Sequence, residues 1–273
     1  MLTDKIIDVW MQHPTPEFIN HPMFESLRRW MKIDWVKEPI PVEFTLSAMD
    51  QAGVGLGLIS AWWGPNGPLI PNEFVVDLVS RYPDRFRGLA SVNLFKPMDG
   101  VRDARHLVKE NGFVGVRQVQ WLWNLPPTDR RYYPLYAACV DLDVPICLQV
   151  GHTGPLMPSE PGRPIPYIDE VALEFPDLKM VCGHIGYPWT QEMIAVATKH
   201  PHVYIDTSAY TAKRYPPELV EYMKTNGRRK VMFGTNYPMI PPTKCLEHLD
   251  DLGLEDDARD LFLFQNAQRV FKL

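Results

Sequence analysis

Short apolar segments recur along the whole chain with helix-like stretches between them, and this alternation limits the possible folds more than any other feature. The apolar segments lie at residues 5–10, 55–61, 86–93, 113–119, 145–150, 178–182, 203–206 and 230–233. Each is partly β-branched or aromatic and is bounded by Gly, Pro, Asn or Asp, as expected of parallel strands covered on both faces. Between them, residues 42–52, 72–82, 100–111, 133–142, 167–175, 190–199 and 217–225 carry helical patterning. Eight strands separated by helices predict a closed (β/α)8 barrel, with an open doubly wound sheet as the alternative. A length of 273 residues suits one such domain spanning residues 1–273. Neither an internal repeat nor a linker interrupts it.

Charge and cysteine usage narrow the functional classes. A net charge of −5 offers no reason to expect nucleic acid or an anionic membrane as partner. No apolar run approaches the roughly 20 residues that span a bilayer. The N-terminus lacks the basic-then-apolar pattern of a signal peptide. Cys139, Cys147, Cys182 and Cys245 show no Cys-x-x-Cys spacing and read as reduced thiols of a cytoplasmic protein. A small-molecule substrate is the expected partner. Many of the 27 prolines follow strands one, two, four, five and eight, which predicts long, pre-shaped loops on one rim.

In a barrel, chemistry sits at the C-terminal ends of the strands. Those ends supply Asp8, Trp10 and Gln12, then Trp62 and Trp63, Asn93, Arg117 with Gln118 and Gln120, His152, His184, Asp206 and Asn236. Asp8, Trp10 and Gln12 alternate along one strand and so share a face. His152 and His184 each sit beside glycine, in Gly151-His152-Thr153-Gly154 and Gly183-His184-Ile185-Gly186, where a ligand can approach closely. Arg117, between apolar neighbours, suits a bidentate clamp on a carboxylate or phenolate; a salt bridge beneath a helix is the alternative. Asp206 either orients a histidine or caps its loop. Trp10, Trp62, Trp63, Trp121, Trp123, Tyr210 and Tyr237 suit a flat substrate, or else pack against neighbouring loops.

Five motifs carry a resemblance that runs the length of the chain. They are Tyr82-Pro83-Asp84-Arg85-Phe86, Gly112-Phe113-Val114-Gly115-Val116, Gly183-His184-Ile185-Gly186, Phe233-Gly234-Thr235-Asn236-Tyr237-Pro238 and Asn266-Ala267-Gln268-Arg269-Val270-Phe271. Together they resemble the amidohydrolase-related TIM-barrel family that includes the aminocarboxymuconate-semialdehyde and resorcylate decarboxylases. The resemblance implies a metal held by two strand-one histidines, a strand-five histidine and a strand-eight aspartate, with a strand-six histidine beside it. By motif, His152 matches the strand-five ligand and His184 the strand-six histidine. Trp10 and Gln12 stand where the first two histidines belong, and Asn236 stands for the aspartate. A homodimer is implied by resemblance alone.

These departures predict a metal site that is lost or weakened, so no cofactor is favoured. A divalent metal such as zinc is the alternative, with His152, Gln12 and a re-aimed His13 as irregular ligands, although amide oxygens suit zinc poorly. Asn236 cannot serve as a general base near neutral pH, unlike an aspartate. The expected catalytic set is therefore His152, His184, Asn236 and Asp8. The expected substrate contacts are Trp10, Gln12, Trp62, Trp63, Arg117, Gln120, Trp121, Tyr210 and Tyr237. The chemistry they imply is histidine acid–base catalysis on a small aromatic or unsaturated acid or phenol: lyase, decarboxylase, isomerase or cyclase. A metal-dependent hydrolase or decarboxylase and a silent ligand-binding barrel are the alternatives.

Overall fold

Eight parallel strands form one sheet in sequence order in the computed structural model, which describes residues 6–32 and 34–273. They are β1 Ile6–Met11, β2 Val54–Ser60, β3 Phe86–Ala90, β4 Phe113–Gln118, β5 Ile146–Gln149, β6 Met180–Gly183, β7 Val203–Asp206 and β8 Val231–Met232. The sheet closes on itself at the β1–β8 seam. There the Val9 N–H donates to the Phe233 carbonyl at 3.0 Å, and the Asn236 N–H donates to that of Trp10 at 2.7 Å. A parallel bridge from Met11 to Tyr237 extends the seam to the mouth. The fold is thus the expected barrel and not the open sheet. Lys5, read as the start of the first strand, lies outside the described residues.

The covering helices follow from one-sided apolar patterning. In the helix Pro97–Glu110, Gly100, Val101, Ala104 and Leu107 are buried on a single face. Proline in its first turn forfeits an N–H that had no partner anyway. The helix ends at Glu110 with Asn111 as its cap, and Gly112 just beyond turns the chain in the left-handed region at φ of +71°. An alanine there would cost about 1 kcal/mol.

The rim is more structured than the proline count suggests. Pro16 opens the short helix Pro16–Asn20, capped by the Thr15 hydroxyl accepting the Phe18 N–H at 3.2 Å. A second helix, Glu25–Met31, follows it. After β2, Trp62–Gly64 and Gly67–Ile70 pair as an antiparallel hairpin. Prolines here start helices and stiffen a hairpin instead of merely lining loops. Among the described residues, no helix is long and apolar enough to cross a membrane.

Candidate active site

The β1 strand sets the floor of the barrel mouth. Its pairing with β2 is irregular between Asp8 and Met11. Trp10 is fully buried there, and its indole meets His184 edge-on at a centroid distance of 5.1 Å. Two glycines make room for it. A Cβ on Gly183 would lie 2.6 Å from Trp10 Cζ3, and one on Gly234 would lie 3.1 Å from Trp10 Cβ. The indole thus fills the volume between β1, β6 and the end of β8.

Beneath the indole lies Arg117, also fully buried. Its guanidinium sits 4.0 Å from the Trp10 ring centroid and donates to the carbonyls of Val9 at 3.1 Å and Met11 at 3.3 Å. The side chain therefore crosses the barrel interior from β4 to β1 and does not line the cavity above. Neither the substrate clamp nor the salt bridge under a helix describes it. Irregular pairing of β1 leaves carbonyls that need a donor, and Arg117 satisfies them. Burial pulls its pKa down to about 10.

Two carboxylates share this interior. Asp8 accepts the Trp10 N–H at 3.0 Å, the Thr235 N–H at 3.0 Å and the Thr235 hydroxyl at 2.5 Å. Burial outweighs those donors and raises its pKa to about 7. Asp206 accepts the Ser208 N–H at 2.9 Å and is raised by burial to about 6. Asp8 ties β1 to the strand-eight loop, so its position is structural and not on the cavity wall.

His184 has φ of +72° and ends up on that wall. Its Nδ1 lies 2.6 Å from the Ser208 hydroxyl, which leaves Nε2 for the cavity. Burial, then the Arg117 charge and His152, push its pKa down to about 3. It is neutral at physiological pH. His152 faces the same cavity with its side chain exposed. Its backbone N–H donates to the Tyr187 carbonyl at 2.6 Å. That approach requires Gly151, where φ is +93° and a Cβ would meet the Tyr187 carbonyl oxygen at 2.5 Å.

The cavity holds about 380 Å³, a size for a single-ring ligand. Trp62, Trp121, Tyr210, His152, His184 and Asn236, all expected at the site, line it. Phe18, Phe24, Leu27, Trp30, Met31, Gln149 and Arg214 also line it, and sequence reading missed them. Phe18 and Phe24 pack at 4.6 Å and pass the stack on to Trp62 at 4.9 Å. The signal that could have found them is the aromatic and apolar patterning of residues 18–31, immediately downstream of β1.

Other expected contacts support the wall from behind. Gln12 is buried, with Nε2 donating to the Tyr237 carbonyl and, at 3.5 Å, to Asn236 Oδ1. Its Oε1 accepts the Trp62 indole N–H at 3.4 Å. Gln120 donates to the Gln149 carbonyl. Trp63 sits in the hairpin, its backbone N–H on the Ser91 hydroxyl. None of Asp8, Trp10, Gln12, Trp63, Gln120 or Tyr237 is among the lining residues.

The residues expected as irregular metal ligands at β1 are engaged elsewhere. His13 points away from the mouth: its Nε2 donates to the Ile40 carbonyl at 2.9 Å, so Nδ1 accepts from the Thr45 hydroxyl at 2.7 Å. With both nitrogens committed, it is no ligand, and burial lowers its pKa. His13 lies two residues beyond the end of β1, and its hydrogen bonds to Thr45 and Ile40 set its direction. Both ends of the Gln12 amide are committed as well. Among the described residues, no three His, Cys, Asp or Glu side chains group to hold a metal. The Arg117 charge under the indole opposes a second cation there.

Comparison with known proteins places this geometry. A solved TIM-barrel protein from Bordetella bronchiseptica superposes with a TM-score of 0.83 at 26% identity, covering 98% of each chain. A dihydroxybenzoic acid decarboxylase structure from Polaromonas sp. JS666, with bound manganese and 2-nitroresorcinol, shares the fold. Its TM-score is 0.72 at 18% identity, over 99% of this chain and 97% of that one. In sequence, the gamma-resorcylate decarboxylase of the same organism is 24% identical over 74% of this chain and 75% of its own length. A 2-keto-4-carboxy-3-hexenedioate hydratase from Sphingobium sp. is 24% identical over 73% and 70%. Residues 41–273 match the Amidohydro_2 amidohydrolase model, a range that starts beyond β1. This chain belongs to the amidohydrolase family.

Proposed function

We propose that the protein is a lyase-type enzyme acting on a small aromatic or unsaturated acid, moving protons with its own side chains and holding no metal at β1. The observation that carries this reading is the Trp10 indole, wedged against Gly183 and Gly234 above Arg117 and in edge contact with His184. It fills the floor and leaves His152 and His184 as the imidazoles of a cavity that Tyr210 and Arg214 also line. The activities of two relatives, a decarboxylase and a hydratase, support the reaction class. Both chemistries require a proton to be delivered to or taken from carbon.

His184 can serve as a weak base, since burial opposes its protonation. It is uncharged near neutrality, Ser208 fixes its ring, and its Nε2 is left for the cavity. Once it takes a proton, burial makes it a strong acid that returns that proton readily. His152 supplies or accepts the second proton from an exposed wall position. Asn236 and Gln149 offer amide hydrogen bonds to an enolate or phenolate oxygen. The aromatic wall of Phe24, Trp62 and Trp121 excludes water and strengthens these contacts.

The test is a screen of chelator-treated protein against dihydroxybenzoates and unsaturated oxo-diacids, read by ultraviolet absorbance and carbon dioxide release. Support is turnover that both His184→Ala and His152→Ala abolish. Turnover retained in both variants overturns the proton-transfer assignment. Binding without any turnover across the panel makes the barrel a ligand-binding module instead.

A further inference from the structure

Taking the cavity as the active site, we infer that Arg214 is its carboxylate-binding residue, and that the carboxylate it holds survives the reaction. The cavity lining contains no Asp, Glu or Lys, and Arg214 is its one fixed charge. Eight other arginines, Arg81 and Arg85 among them, pair with acids. Among the described residues, the Arg214 side chain has neither an ion pair nor a hydrogen bond. Arg214 is exposed at the edge of a mostly apolar cavity, and an unpaired guanidinium there favours an anion, in fork geometry.

Its backbone is not free to wander. Arg214 ends the tight turn Ala212–Arg214, its N–H bonded to the Thr211 carbonyl at 2.8 Å. Ala212 and Tyr215 on either side are buried. The same segment begins with Ser208, which holds His184, so the clamp and the base are set by one loop. Arg214 also lies close enough to Tyr210 for its charge to act on that hydroxyl.

Chemistry then decides which carboxylate it holds. A guanidinium stabilises a carboxylate most while the negative charge remains. A carboxylate leaving as neutral carbon dioxide would lose that pairing on the way to the transition state, so the pairing would slow its loss. The Arg214-bound group therefore anchors the substrate, and the reacting carbon lies toward His184 and His152. The substrate class is a ring or unsaturated chain bearing one spectator carboxylate and a separate reacting group.

Binding of benzoate and benzamide to the intact protein tests this, by calorimetry and melting shift. The wild type should prefer benzoate by roughly ten- to a hundredfold. Arg214→Gln should erase the preference, and Arg214→Lys should keep part of it. Equal binding of the two probes by the wild type overturns the inference and needs no variant to fold. So does an unchanged benzoate preference in Arg214→Gln. Neither readout depends on turnover, so the lyase reading fails or stands separately. With a substrate in hand, Arg214→Lys should raise KM and leave kcat close to wild type. A fall in kcat at unchanged KM contradicts the spectator role.

Discussion

The Arg117 guanidinium lies 4.0 Å from the centroid of the Trp10 indole, and neither side chain has any solvent exposure. A buried cation ordinarily requires a carboxylate partner, but here a ring face and two backbone carbonyls share it. A desolvated cation–π contact is worth about 2 kcal/mol or more. The pair closes the floor beneath the cavity.

Trp10→Ala should therefore cost about 3–5 kcal/mol of stability, through a cavity and a stranded guanidinium. Urea unfolding measures it. A loss under about 1 kcal/mol would mean that the indole is not the packed floor described.

Gly183→Ala tests the same packing from the other side. Its Cβ would enter the indole at 2.6 Å from Cζ3, and backbone strain plays no part because φ at Gly183 is −77°. The cost should be about 1–3 kcal/mol alone, and much less in a Trp10→Ala background. Additive losses in that double-mutant cycle would contradict a direct clash.

Stability should depend on pH through opposing groups. His184, depressed to about 3, binds fewer protons when folded than unfolded, so its contribution rises with pH between about 3 and 6.5. Asp8, raised to about 7, binds more protons when folded, so its contribution falls as pH rises from about 4 to 7. Asp206 acts in the same direction as Asp8. Asp8→Asn removes one falling contribution. From about pH 4.5 to about pH 7, the variant should gain on the wild type by a few kcal/mol in urea unfolding. Parallel pH profiles would mean that the Asp8 carboxyl is not raised.

Ser208→Ala should leave the fold intact and loosen the His184 ring, which it holds at 2.6 Å. A kcat about tenfold lower, against a loss of about 10²–10⁴ for His184→Ala, is the expected order. Ser208→Thr should recover part of it. Equal kcat in Ser208→Ala and the wild type would remove Ser208 as the positioning group.

The barrel was legible because strand and helix periods differ, and seven expected helices fall within a few residues of observed ones. His152, His184 and Asn236 were legible because glycine neighbours and strand-end positions mark a mouth. Arg117 was not, because its partners are carbonyls exposed by an irregularity in β1 that no side-chain pattern encodes. Arg214 was missed for a related reason. It lies eight positions beyond Asp206, in a turn whose direction is set by burial of Ala212 and Tyr215. His13, offered as an irregular ligand, lies beyond the end of β1, where its ring is held by Thr45 and Ile40 instead.

The most direct test of the central claim is turnover by protein stripped of metal, measured alongside its metal content. We expect metal far below one equivalent per chain, with kcat unchanged by chelator and unraised by added manganese or zinc. Metal near one equivalent, with activity that falls on chelation and returns with the ion, would contradict it.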